Sequence, residues 1–199
     1  MQSMQTGYSV RARVSLAVGV VVVVSLSGFR TATPLASADM SVRDMSVMDE
    51  FVHTVNWVAE SYGTGPIQTV VAPLSDPNTF AMTVGQQITL NSAYTDKARL
   101  ASAIQYNVDV GWIPGGCSPA ATVALHEAAH VIDNVNGKIG TKRVAATYRL
   151  KLPGEISGYS YSEGGDLNAG EAVASAFQSV LCNGGTEAER DMYLMLVQP

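Results

Sequence analysis

The chain has 199 residues, 12 basic and 17 acidic side chains, and two cysteines. Its net charge of −5 argues against a nucleic-acid binder, because affinity for nucleic acid rests on cationic contacts to phosphate. The first 38 residues do not look like part of a folded domain. Arg11 and Arg13 precede an apolar run over residues 14–29, which includes five consecutive valines at 20–24, and Ala36-Ser37-Ala38 follows as a small-residue cleavage site. That layout is a secretory signal peptide cut before Asp39. The alternative is an uncleaved segment that anchors the chain to a membrane, although the run of about 16 residues is shorter than the roughly 20 that a spanning helix needs. The leader carries three of the basic residues and none of the acidic ones, so residues 39–199 keep nine basic against 17 acidic, a net charge of −8. They form one domain's length with no second apolar run long enough to span a bilayer. Export implies oxidising conditions, under which Cys117 and Cys182 read as one disulfide; two separate buried thiols are the alternative.

Residues 44–62 have helical periodicity, with Val47, Phe51, Val55, Val58 and Tyr62 on an apolar stripe. Asp49, His53, Asn56 and Glu60 share the opposite face, which makes His53 a solvated residue. Residues 67–74 read as a strand, and 79–84 and 87–90 as a hairpin turning at Gly85-Gln86. Residues 95–108 read as a helix with Leu100 and Ile104 inward. The next helix, 119–136, has Ser118 as N-cap, Pro119 as its first residue and Gly137 as its stop. A loop-rich region to Asp166 carries a short helix near 141–150. A further helix over 168–181 is capped by Asn168 or Asp166, and Thr186 starts a last short one. The pattern is α+β. Five of the nine basic residues outside the leader lie within 138–151, which reads as a solvated face or, more sharply, as a patch that steers substrate.

The chemistry concentrates in the helix 119–136, which contains Ala124-Leu125-His126-Glu127-Ala128-Ala129-His130-Val131-Ile132-Asp133. At about 100° per residue, His126, Glu127, His130, Asp133 and Asn134 fall within an arc of about 120°. The rest of the wheel is apolar, so the helix should be buried on most of its surface. Buried imidazoles and carboxylates need partners. A zinc ion satisfies that need: histidines at i and i+4 lie one turn apart on one face, and Glu127 beside the first points toward the ion's open side, where it can take a proton from water.

The H-E-x-x-H segment, on a helix that follows a hairpin and another helix, resembles the zincin superfamily of metallopeptidases. The metzincin continuation is absent, because Asp133 and Asn136 stand where that pattern has glycine and histidine. Asn168-Ala169-Gly170-Glu171-Ala172-Val173-Ala174-Ser175-Ala176-Phe177 is similar to the third-ligand helix of gluzincins, including compact lethal-factor-like domains. The resemblance implies a small mixed sheet, one zinc per chain held by His126, His130 and Glu171, Glu127 as general base, and Asp133 orienting a ligand from behind. It also implies a tyrosine assisting the oxyanion, for which Tyr159 and Tyr161 both qualify. Family members often carry an acid where Ser175 stands. Read locally, Asn168-x-x-Glu171 is also a capping box. The implied activity is hydrolysis of a peptide or protein substrate, with strand 87–90 offered to an extended substrate by strand addition. The rival expectation is a secreted zinc-binding interaction domain without catalysis, and oligomeric state is left open by the residues.

Overall fold

A computed structural model describes residues 45–148 and 154–198. The expected leader, and Arg149 and Lys151 of the basic segment, lie outside them. The described elements run α1 (Val47–Tyr62), β1 (Gln68–Ala72), β2 (Ala81–Val84), β3 (Gln87–Asn91), α2 (Lys97–Asp109), α3 (Pro119–Val135), α4 (Ile139–Thr147), α5 (Ala169–Asn183) and α6 (Glu187–Val197), with single 3-10 turns at Ser92–Tyr94 and Gly158–Ser160. The architecture is α+β, six helices around a three-stranded mixed sheet. Among the described residues no helix is long and apolar enough to cross a membrane.

The helix boundaries follow the local chemistry. The Ser46 hydroxyl caps α1 by accepting from Asp49 N, and the stripe Val47, Phe51, Val55 and Val58 is buried while His53 is exposed. Ser118 caps α3 with Pro119 in its first turn. At the other end of α3, Gly137 takes φ 67°, which lets Gly137 N bond the Asn134 carbonyl and Lys138 N the Asp133 carbonyl. That is the paired C-terminal closure for which glycine carries no Cβ penalty. The basic cluster is partly explained here: Lys142 bonds the Gly137 carbonyl, and Arg143 bonds the carbonyls of Met195 and Gln198.

Helix α3 is the centre of the core. Its buried residues run from Ala120 to Asp133 with only His130 partly open. Helices α1 and α5 pack on it, and Glu50 of α1, itself buried, accepts a hydrogen bond from the Ser118 hydroxyl at its N-terminus. Ala172, Ala174 and Ala176 of α5 are almost fully buried, the small side chains letting α5 lie close to α3. The disulfide Cys117–Cys182 joins the start of α3 to the end of α5, with Cα atoms 4.9 Å apart and a sequence separation of 65. On the chain-entropy model a loop of that length contributes roughly 4 kcal/mol. The approach is so close that a Cβ on Gly116 would sit 2.6 Å from the Cys182 carbonyl oxygen, so only glycine fits there.

The hairpin β2–β3 is antiparallel with Val84 opposite Gln87. The sheet order is β1-β3-β2, with β1 parallel to β3 from Gln68↔Gln87 to Ala72↔Asn91. This corrects the expectation that residues 87–90 receive a substrate strand: both edges of β3 are already paired. The open edge beside the site is β2. The Phe80 carbonyl accepts from Asn91 N, so by antiparallel alternation Ala81 and Thr83 turn their backbone groups outward.

Candidate metal centre

Two elements bring three ligand-type side chains together. His126 and His130 project from one face of α3, one turn apart, their rings edge to face at 5.0 Å. Glu171 enters from the first turn of α5. Its Oε2 lies 3.0 Å from His126 Nε2 and 3.5 Å from His130 Nε2. One ligand atom from each of the three residues falls within 4.8 Å of the others, the only such group of three among the described residues. Four ligands at the zinc distances of nitrogen and carboxylate oxygen sit about 3.4 Å apart in a tetrahedron. The two histidine–glutamate distances are close to that edge, so the residues fit a metal ion.

The capping-box alternative for Glu171 is half met. Asn168 does cap α5, its Oδ1 accepting from Glu171 N at 3.4 Å. The Glu171 carboxylate, however, faces the histidines. A full reciprocal box forms instead at α6, between Thr186 and Glu189. Asp133 is buried, and its carboxylate accepts from Thr141 N (3.2 Å) and Thr141 Oγ1 (2.5 Å). Its hydrogen bonds thus tie α3 to α4, and it reaches His130 through its charge. Ser175 Oγ, one turn beyond Glu171, is buried without a hydrogen-bond partner.

Glu127 is buried beside the cluster. The Thr83 hydroxyl, from edge strand β2, donates to its Oε2 at 2.6 Å and lies 3.1 Å from its backbone carbonyl. Nothing in the spacing of residues 83 and 127 announces this contact, because it depends on how the sheet lies across α3. Tyr159 stands with its ring 5.4 Å from that of His126 and 6.1 Å from that of Trp112. Its segment is strapped down by Gly158 N and Tyr159 N, which donate to the carbonyls of Gly111 and Trp112. Tyr161 instead packs against the core and bridges to Leu167. The sequence named both tyrosines; the structure brings Tyr159 beside His126.

A cavity of about 710 Å³ opens beside His126 and Glu127, with Tyr159 and Trp112 on one wall and Ala81 of β2 on another. Burial pushes the Tyr159 hydroxyl up to about 12, helped by the charges of Glu171, Glu127 and Asp76, which keeps it a proton-bearing donor at neutral pH.

The Glu171 carboxylate and the His130 imidazole also shift one another's titration. Burial is the largest single influence on Glu171 and would raise it, but hydrogen bonds from His126 and His130 and their charges together hold it well below the usual carboxylate range. Burial likewise lowers His130, yet the Glu171 hydrogen bond and the charges of Glu127, Glu171 and Asp133 leave it above 6.5. A raised histidine contributes stability below its unfolded value, which is lost as pH rises through the folded one. A lowered carboxylate contributes above its unfolded value, and that contribution is lost on acidification. The pair therefore stabilises the metal-free fold most fully between 4.5 and 6.5, the ordinary values of the two groups. Metal needs the neutral imidazole, so protons compete with it. Chelator-competition titrations from pH 8 to 5 should show zinc affinity already falling above pH 6.5, with protons released on uptake. Affinity that stays flat over that range would refute metal ligation by His130.

The chain matches no known protein family, no curated protein and no solved structure.

Proposed function

We propose that this protein is a secreted zinc metallopeptidase of gluzincin type on a zincin-like fold. The observation that carries the proposal is the meeting of His126 and His130 from α3 with Glu171 from α5, beside a buried Glu127 that lines a cavity. The two-imidazole, one-carboxylate donor set suits zinc. Bound there, zinc would polarise the substrate carbonyl and make water acidic enough to attack at neutral pH.

The chain's own residues have distinct tasks in this reading. Glu127 takes the proton of the attacking water and passes it to the leaving amine. Thr83 holds that carboxylate in one orientation through its 2.6 Å hydrogen bond. Tyr159 presents its hydroxyl to the oxygen that gains charge. The outward backbone groups of Ala81 and Thr83 pair with an extended substrate, which brings the scissile bond past Glu127. The disulfide and the apolar run at residues 14–29 support export.

The test is metal content and turnover together. The protein expressed without residues 1–38 should carry about one zinc per chain, cleave members of a broad peptide library, and lose that activity on chelation and regain it with zinc. Metal-free, folded protein that cleaves peptides would sink the metal reading. A protein with one zinc per chain that cleaves no member of the library would be the non-enzymatic interaction domain.

A further inference from the structure

The cavity beside Glu127 combines an apolar surface with two deeply buried polar groups. On α3 its lining extends from His126 and Glu127 back to Thr122 and Val123, with His126 and Thr122 four residues or about 6 Å apart along the helix. Phe80, Ile104, Ile113 and Val123 give it apolar surface, and Asp76, Asn78, Arg99, Ser102 and Asn107 also line it. Thr122 and Gln178, buried to 3% and 1% exposure, both line it.

Gln178 lies on α5 two turns beyond Glu171. Its Nε2 donates to the Pro114 carbonyl at 2.9 Å, which fixes the carboxamide and leaves Oε1 as the acceptor. Neither Gln178 Oε1 nor the Thr122 hydroxyl has a hydrogen-bond partner among the described residues. The one fully enclosed side-chain polar atom without a partner among those residues is Ser175 Oγ, so both of these groups, which line the cavity, retain a trace of exposure. An apolar occupant would close over them and leave two polar groups desolvated and unpaired, which is costly. A flat side chain tipped with a hydroxyl can pack on the apolar surface while donating to Gln178 Oε1 or accepting from the Thr122 hydroxyl.

We infer that this cavity is a subsite selecting tyrosine over phenylalanine in the substrate. The choice of a peptide as ligand rests on the peptidase reading above; the preference for a phenol rests on the cavity alone. A site that hydrogen-bonds a hydroxyl discriminates against the analogue lacking it, and with one neutral acceptor and one hydroxyl the expected ratio is roughly tenfold or more.

The experiment has two independent arms on the zinc-loaded protein. In the first, binding of N-acetyltyrosine amide and N-acetylphenylalanine amide is followed by NMR. The tyrosine compound should bind roughly tenfold more tightly and shift the methyl resonances of Ile104 and Val123. Thr122→Val, which keeps the side-chain shape, should cut that ratio severalfold, and Gln178→Leu should bring it close to one. Equal binding of the two amides, or no shift from either, overturns the inference whether or not Gln178→Leu folds. In the second arm, matched peptides with a single tyrosine, phenylalanine or leucine are tested for cleavage. Tyrosine-amide binding without cleavage of any peptide retains the subsite and overturns the peptidase reading. Cleavage with no preference for the tyrosine peptide overturns the subsite and retains the peptidase.

Discussion

Glu171→Ala should strip the protein of zinc, while Asp133→Ala should leave it metal-bound. Both are acidic residues near two histidines, but their geometry differs. Asp133 is on the same rod as His126 and His130, only three residues beyond the second, where a short side chain cannot complete a tetrahedron with its neighbours. Its carboxylate already accepts two hydrogen bonds from Thr141. Glu171 approaches from α5, across the site, with one oxygen 3.0 and 3.5 Å from the two imidazoles. Loss of a group that supports a ligand weakens metal binding by about 10- to 100-fold, and loss of the ligand itself should exceed that. Asp133→Ala should show its main effect on stability, about 1–3 kcal/mol for bonds that anchor α4. Zinc affinity by chelator competition, measured for both variants with their denaturation midpoints, decides the matter. Normal zinc binding by Glu171→Ala would reduce that residue to part of a helix start and remove the gluzincin reading.

The second large effect concerns Glu127. Glu127→Gln keeps the shape of the side chain and an oxygen that can still accept from Thr83, so fold and zinc content should be unchanged. What it removes is the basic carboxylate. Peptide turnover should fall by roughly 10² or more, the scale of general-base catalysis. Turnover on the best-cleaved library peptide, compared with zinc stoichiometry and melting temperature for the same preparation, separates a chemical effect from a structural one. Undiminished turnover would show that the proton goes elsewhere.

What could be read from the order of residues was local. The stripe of α1, the Ser118-Pro119 start and Gly137 stop of α3, and the Asn168 cap of α5 each lie within a few residues of the effect they cause. So does the pairing of His126 with His130, because helical pitch alone puts i and i+4 on one face. The hairpin at Gly85-Gln86 belongs to the same class. Cys117 and Cys182 had only each other as partners in a chain with two cysteines, and they are bonded.

Tertiary structure decided what depends on residues distant in sequence. Asn168-x-x-Glu171 fits a cap as well as the preferred ligand helix. The carboxylate turns to the histidines because α5, with its alanine face, packs closely on α3. Tyr159 and Tyr161 are two residues apart and both remain candidates in the sequence, one matching the spacing from Ser157 and the other nearer the Glu171 helix, but the bonds from Gly158 and Tyr159 to Gly111 and Trp112 bring the former beside His126. The same holds for the sheet. Strand alternation predicts β3 but not that β1 joins it in parallel, which fills both its edges and leaves β2, with Thr83 against Glu127, as the strand beside the site. Periodicity reports which face of an element is buried; it carries no information on which other element covers that face, and the metal cluster, the edge strand and the cavity all lie where such faces meet.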